Sequence, residues 1–520
     1  MDIWNEGYVT DINYLDTFNR ELTPVWLSTT ATLLGYRTPP LDQPYAYADL
    51  GCGQGFGTAL MAAANPVGRF WGFDFNPGHV AQGRRMAAAS GIANVEFHEA
   101  SFAQLAESAA GCWPEFDFIV LHGVYSWVSR ANQLAIIEFI RRFLKPGGLV
   151  YIAYNCAPGC SAMAPLQRLM RGHADQHPAR SDLQAQRALD FVGRLREGGA
   201  KYFSAHPDVS LRLATAAKAD SRYLAHEYLN RYWQIVDFAA VAQDGAQAKL
   251  DYLGSACLLE NLDHRSAPAG LLPLLAETTD TVLHQTLLDF AANKGFRRDI
   301  FQKGLAPLNA REHTAALRRI CLFPLAIETS GAIVFPTPNG PASGRPELYQ
   351  ALMQGFSQGE LSLGEMAARP ELAGKTQAQL IEVAMLLISG GHVAPKAGAV
   401  QPAMAQALNR FIRAEVMDGQ RLNYFAAPAL GSAIEVSFVE MVAAMLLVET
   451  PALTRDAFVS AGWQLLVSLG GQLVKDGLVL STQEASLREL AAVFTSFQQG
   501  KTALWQRLGI LPSYDKSIPS

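Results

Sequence analysis

The segment Tyr47-Ala-Asp-Leu-Gly51-Cys-Gly53-Gln-Gly55-Phe-Gly57 sets glycines at alternate positions behind a short apolar run. Such a loop turns sharply from strand into helix and lets a ligand come against the main chain, where a side chain would collide. A dinucleotide fingerprint needs glycines at 51, 53 and 56, and position 56 is Phe. A Walker loop needs a following Gly-Lys-Ser/Thr, which the sequence lacks. Two acids accompany the loop. Asp49 stands two residues before Gly51, and Asp74 follows that glycine by 23 residues at the end of the next apolar run. A carboxylate there is placed to accept both ribose hydroxyls of a nucleoside, and Asp49 beside the turn can face a cationic amine. Together they ask for a ligand with a ribose and an ammonium group and no pyrophosphate. S-adenosylmethionine is such a molecule.

Positioning this loop requires a sheet. Residues 45–155 alternate short apolar runs with helix-like stretches, the pattern of βαβ units. Strands are expected at 46–50, 70–74, 95–99, 116–121 and 149–154, with helices at 57–64, 80–90 and 132–143. From about 163 to 244 Ala, Leu, Arg and Gln dominate, which predicts a helical insert, and a strand resumes at 249–254.

With these elements in order the chain resembles the class I S-adenosylmethionine-dependent methyltransferases, whose first motif is acid-x-Gly-x-Gly-x-Gly after strand one. The resemblance continues through Asp74, "FDFIVLHGVYSWV" (116–128) and "LKPGGLVYIAYN" (144–155). Further segments, "YVTDINYLDTFNRELTP" (8–24), "YNCAPG" (154–159), "HEYLNRYW" (226–233) and "RRDIFQKG" (297–304), are similar to bacterial methyltransferases that carry a methyltransferase regulatory domain. Among these, the rickettsial-type enzymes methylate lysines of outer-membrane proteins. The resemblance implies an α/β fold, a Rossmann-like sheet with a mostly helical insert and C-terminal α+β, winged-helix-like modules. It implies S-adenosylmethionine held by Tyr14, Asp49, Gly51, Gly53, Gly55, Asp74, Phe75, Ser101, Phe102 and His122. Ser101-Phe102 stands where the family usually has an acid near the adenine; Ser can bond the adenine amino group and Phe can cover the ring. The resemblance also points to a homodimer and to a protein substrate, an outer-membrane protein among the candidates.

The 520 residues carry 42 Lys+Arg against 47 Asp+Glu, a formal net charge of −5. No long basic run supports binding to nucleic acid. A chain 49% hydrophobic and 17% charged is not a disordered one. Six cysteines are too sparse for a disulfide scaffold, and the acidic first thirty residues lack a signal peptide's basic start, so a cytoplasmic protein is expected. The apolar window 441–448 is far too short to span a bilayer. The organisation expected is an N-terminal helical segment (1–44), the donor-binding core (45–160), a helical insert or cap able to mediate dimerisation (161–245), the end of the core sheet with a middle region (246–334), a four-proline linker (335–346), and regulatory or substrate-docking modules (347–511).

Three patterns lead elsewhere. Cys156, Cys160, His173 and His177 have zinc-finger spacing, but Ala164 and Met170 occupy the positions of the aromatic and the Leu a finger packs beneath its helix, so no metal is expected. His226-Glu227 begins a zinc-protease motif that fails at Asn230. Residues 361–395 resemble a winged helix, yet 360–400 holds four acids and three bases, which does not make a DNA-binding face.

Methyl transfer from a sulfonium needs alignment of a neutral nucleophile and no metal. His122, Tyr125 and Trp127, after the fourth strand, are the candidates for an aromatic acceptor wall, and Tyr125 or His226 for assisting deprotonation of a lysine amine. A small-metabolite methyltransferase with a regulatory C-terminal region and a non-catalytic S-adenosylmethionine-binding scaffold are the alternatives.

Overall fold

The computed structural model describes residues 4–325, 333–398, 400–449, 454–468, 473–475 and 478–512. After helix α1 (Pro24–Leu33), strands and helices alternate as β1 (Tyr45–Leu50), α2 (Phe56–Ala64), β2 (Gly68–Asp74), α3 (Pro77–Ser90), β3 (Val95–Glu99), α4 (Phe102–Glu107), β4 (Phe116–Leu121), α5 (Arg130–Phe143) and β5 (Leu144–Asn155). These five strands are parallel. Every residue of β1 and β4 is buried, as expected where helices cover both faces of a parallel sheet. Helix starts follow local chemistry: Asn76 caps α3 by accepting from the Gly78 N–H, with Pro77 at the first helical position, and Ser129 caps α5.

The helical insert follows as α6 (Ala164–Gln176), α7 (Ser181–Glu197), α8 (Lys201–Ala205), α9 (Pro207–Ala216) and α10 (Ser221–Tyr228), and α11 (Phe238–Gln247) leads back to the sheet. Strands β6 (Leu250–Ser255) and β7 (Phe296–Lys303) complete it in the order β3-β2-β1-β4-β5-β7-β6, with β7 antiparallel to both neighbours. The Rossmann-like α/β class expected from the sequence is present.

Strand β7 was not among the expected strands, because "FRRDIFQK" lacks an apolar alternation. Its charges are internal. Arg297 and Asp299, two residues apart and so on one face, are both buried. The guanidinium holds Asp299 at 2.8 and 2.9 Å, Asp289 at 2.5 Å and Gln285 at 2.9 Å, and it lies 4.4 Å from the ring of Phe238. Tyr154 on β5 donates to Asp299 at 2.5 Å. The arginine thus clamps β7 to β5, to α11 and to the helix Thr281–Ala291.

The C-terminal half departs from the expected boundaries. Residues 335–346, expected as a linker, fall largely within a hairpin, Val334–Thr337 against Gly340–Ser343, in which Pro336 and Pro341 face each other. An isolated two-stranded ribbon tolerates prolines that a central strand excludes. The strand Cys321–Pro324, in the stretch 246–334 expected to hold the end of the core sheet and a middle region, pairs with Leu361–Ser362 and Val393–Pro395. One apolar cluster joins Leu317, Leu322, Ile333 and Phe335 to Leu352 and Phe356, so the winged-helix-like module begins before the hairpin. Beyond it, the helix Pro402–Met417 packs on α2 and α3, with Arg85 bidentate to Glu415 at 3.0 and 2.6 Å. Asn65 donates to the Gly431 carbonyl at 2.8 Å. The last module therefore shares the core of the sheet domain.

Replacing Arg297 by Met leaves Asp289 and Asp299 without their buried cation. Urea unfolding is expected to show a loss of about 3–5 kcal/mol; an unchanged midpoint would contradict the clamp.

Candidate active site

Gly51 and Gly55 both have φ of +78°, and a Cβ would stand 2.6 Å from Val124 Cγ2 at the first and 2.4 Å from Phe97 Cε1 at the second. Packing demands glycine there. Gly53, at φ +56°, differs: a Cβ would meet no protein atom within 4 Å, so the middle of the loop borders open space. Asp74, buried at the end of β2, accepts from the Gly53 N–H at 2.9 Å through Oδ2 and from the Asn76 N–H at 2.9 Å through Oδ1. His79 Nδ1 lies 3.3 Å from the same Oδ1. Asp49 is buried and accepts from the Thr58 hydroxyl at 2.6 Å; burial pushes its carboxyl up to about 6 while Thr58 draws it down.

A strap, residues 4–19, runs without helix or strand between this loop and the insert. Gln54 ties it down, donating to the Tyr14 carbonyl and to Asp16, both at 3.2 Å, and accepting from Asn13 at 3.1 Å. Tyr8 meets Phe75 edge-on at 5.8 Å, and burial, then the charge of Asp74, raises its hydroxyl's pKa. Burial pushes Tyr14 up to about 12 and Asp16 up to about 6. From α10, His226 packs its ring against Tyr8 at 5.4 Å and Tyr14 at 5.1 Å. Its Nε2, 3.2 Å from the Ile12 carbonyl, is the donor, so Nδ1 carries the lone pair; burial brings this imidazole down to about 4 and keeps it neutral. Two buried ring nitrogens here, His79 Nε2 and His226 Nδ1, have no hydrogen-bond partner. Buried polar atoms of this kind call for a partner from outside the chain.

Comparison with known proteins identifies the architecture. Residues 41–189 match the methyltransferase domain family and residues 220–303 the predicted methyltransferase regulatory domain. An uncharacterized protein of Synechocystis sp., sll1526, is 33% identical over 513 residues, covering 98% of this chain and 99% of the relative. The chain belongs to the methyltransferases with a regulatory domain. It is a class I, S-adenosylmethionine-dependent methyltransferase. The structure of PKMT2 from Rickettsia typhi in complex with AdoHcy has the same fold, with a TM-score of 0.68 over 96% of this chain and 99% of that one at 20% identity. A trans-aconitate 2-methyltransferase of Methylobacterium nodulans is 30% identical over 149 residues, 29% of this chain and 52% of the relative.

Around this methyltransferase's glycine loop the structure gathers Tyr14, Asp49, Gly51, Gly53, Gly55, Asp74, Phe75 and His226, but it disperses the expected aromatic wall. Tyr125 faces the opposite layer: it is fully buried, and its hydroxyl donates to Asp244 at 2.6 Å, a carboxylate that Arg130 also holds at 2.5 Å through each nitrogen. It lies in the core cluster with Ile136, Phe238 and Val241. Trp127 points otherwise, stacking at 5.6 Å and 11° on Trp233 of the insert, whose Nε1 donates to Asn155 at 3.3 Å. His122 bonds the Tyr151 hydroxyl at 2.9 Å, and burial holds it near 4. Ser101 is engaged as the N-cap of α4 in a capping box with Gln104, and Phe102 packs against the core.

Glu227 was overlooked beside His226 because a glutamate on a helix ordinarily faces water. Here burial pushes its carboxyl up to about 7 while the charge of Arg212 draws it down, and its own charge raises Tyr8, Tyr14 and Tyr228. The four residues with zinc-finger spacing do not converge. Cys156 and Cys160 donate to the carbonyls of Lys294 and Gly295, while His173 and His177 stack on each other at 4.3 Å in the insert. Among the described residues no helix is long and apolar enough to cross a membrane.

Tyr125→Phe is expected to cost about 1.5–3 kcal/mol in chemical denaturation, the value of a hydrogen bond to a charged group, with S-adenosylhomocysteine affinity unchanged in calorimetry. Lost affinity with full stability would return Tyr125 to the site.

Proposed function

We propose that this methyltransferase transfers methyl groups from S-adenosylmethionine to lysine amines of a protein substrate, an outer-membrane protein being the first candidate. Gly51, Gly53 and Gly55 would receive the donor, with Asp74 accepting the ribose hydroxyls, Phe75 and Tyr14 flanking it, Asp49 facing its ammonium group, and Ser101, Phe102 and His122 lining the adenine end. The open space at Gly53 and the unpartnered imidazole nitrogens of His79, beside Asp74, and of His226, against Tyr8 and Tyr14, fit such a ligand. When bound, S-adenosylmethionine supplies a sulfonium-activated methyl group.

The chain's own residues do the rest by orientation and exclusion of water. Tyr8, Tyr14 and His226 pack together over the loop, and aromatic faces suit a lysine stem and its methylated head. The neutral His226 can accept a hydrogen bond from the amine at Nδ1. Its low basicity makes it a positioning group rather than a proton sink. The Trp127–Trp233 stack joins the core loop to the insert and can wall the approach.

The observation that carries the lysine assignment is the chemistry of this lining, the aromatic rings of Tyr8, Tyr14 and His226 with the carboxyl of Asp16, which suits a cation. Likeness to rickettsial-type protein-lysine methyltransferases and the shared fold of PKMT2 support it. A small metabolite is the second acceptor class, favoured by the partial match to a trans-aconitate 2-methyltransferase.

Asp74→Ala is expected to weaken S-adenosylhomocysteine binding by about 1.5–3 kcal/mol, roughly tenfold or more, and Gly53→Val to abolish it with the fold retained. Wild-type affinity in the Asp74 variant would remove the donor assignment. Incubation of the wild-type chain with methyl-labelled donor and a bacterial lysate should place label on protein lysines; label confined to small molecules would establish the second class.

A further inference from the structure

We infer that Arg298 on β7 receives a carboxylate of the methyl acceptor, either an acidic side chain near a target lysine or the acid group of a small acceptor, and so selects what is methylated. This rests on the placement of the donor at Gly53 and Asp74 and not on the acceptor being a lysine.

Two arginines stand side by side in β7 and point to opposite faces of the sheet. Arg297 is absorbed by the buried clamp with Asp289 and Asp299, whereas Arg298, half-buried, has no carboxylate of its own. Among the described residues none lies within ion-pair distance of it. Its Nη1 donates to Cys257 Sγ at 3.3 Å, and the guanidinium lies 5.4 Å from the centre of the Phe296 ring. Burial raises the pKa of the Cys257 thiol, so the sulfur stays neutral and accepts only weakly. The acids in the neighbourhood are engaged elsewhere. Glu21 pairs with Arg20 at 3.8 Å, and Glu260 pairs with Lys294 and accepts from the Ser255 hydroxyl at 2.6 Å.

The donors left over have the shape of a carboxylate. Nε is buried with no partner, and no described group accepts from Nη2. These two N–H groups form one edge of the guanidinium fork, which takes a carboxylate through two parallel hydrogen bonds. Leaving a buried charged donor unpaired is costly, so an acceptor atom from outside the chain gains most there. One guanidinium carries one charge, which matches a carboxylate better than a phosphate dianion.

Strand register puts this edge where an acceptor arrives. Leu121, the last residue of β4, stands opposite Ile152, and the next residue of β5, Ala153, stands opposite Arg298. Arg298 therefore belongs to the carboxyl edge of the sheet, as do the glycine loop and Asp74. In the strand order, β1, β4 and β5 separate β7 from β2, which ends at Asp74. Four strand spacings are roughly 19 Å, farther than the methionyl chain reaches from a ribose held on Asp74. An anion at Arg298 thus comes with the acceptor and not with the donor.

The test uses the full chain, methyl-labelled S-adenosylmethionine and a bacterial extract, with label in protein and in small molecules counted separately. Arg298→Met should lower the rate roughly tenfold or more at limiting extract, by raising the extract concentration needed for half-maximal rate. S-adenosylhomocysteine affinity in calorimetry should be unchanged. Arg298→Lys keeps the charge without the fork and should fall between. Amidating the carboxylates of the extract with excess glycinamide should bring wild type down to the Arg298→Met rate and leave that variant unaffected; the wild-type drop does not depend on how any variant folds. Label lost from protein assigns the carboxylate to an acidic side chain, and label lost from small molecules assigns it to a free acid. Label found in small molecules alone would remove the lysine assignment and leave this inference standing. Equal rates in wild type and Arg298→Met, an undiminished wild-type rate on amidated extract, or S-adenosylhomocysteine affinity lost with Arg298 would overturn it.

Discussion

A carboxylate buried at the end of a strand must be surrounded by donors, and the way Asp74 meets that requirement organises the site. Its two oxygens draw in the Gly53 N–H, the Asn76 N–H and the His79 ring, so the glycine loop and the start of α3 are held to one point at the carboxyl edge of the sheet. Charge-assisted hydrogen bonds are the strong members of their class, and these leave the loop little freedom. The strap is organised around the same charge, with Tyr8 in reach of it and Gln54 fastening Tyr14 and Asp16 to the loop. The site is largely preformed by the chain itself.

Its outer wall depends on contacts distant in sequence. The strap is pinned to the insert where Asn230 accepts from the Val9 N–H at 2.9 Å and Asp11 accepts from Ser181 at 2.6 and 2.8 Å. On the other side α2, whose first turn follows the glycine loop, is enclosed by the C-terminal module, with Ala59 to Ala64 fully buried. Phe18 at the end of the strap packs on Tyr424 at 5.6 Å, and Arg421 reaches Asp220, the N-cap of α10, at 3.2 Å. The exposed ion pair contributes little by itself. The shared core means that the C-terminal module braces the loop helix, whereas that exposed pair is its tie to the helix carrying His226.

The centre of the sheet was legible because β1 and β4 are buried on both faces and punctuated by glycine, and the loop was legible because three alternating glycines have few other uses. What stayed hidden was hidden by charge and by direction. Strand β7 reads as polar, since nothing in "RRDIFQK" announces that Arg297 will be neutralised by Asp289 and Asp299 inside the fold. Tyr125 and Trp127 have equal claims in sequence, and only the turn after β4 sends one into the core against Asp244 and the other toward Trp233. The prolines of 335–346 announced a break in regular structure but not its form, a hairpin.

The account turns on one claim, that the donor nucleoside lies at Gly53 on Asp74 beneath the strap. The most direct measurement is a crystal structure of the full chain with S-adenosylhomocysteine. The account predicts both ribose hydroxyls within hydrogen-bond distance of Asp74 and residues 4–19 in place over the ligand, with His79 Nε2 or His226 Nδ1 gaining a partner. A ligand bound away from Asp74, or one admitted only with the strap expelled, would contradict it.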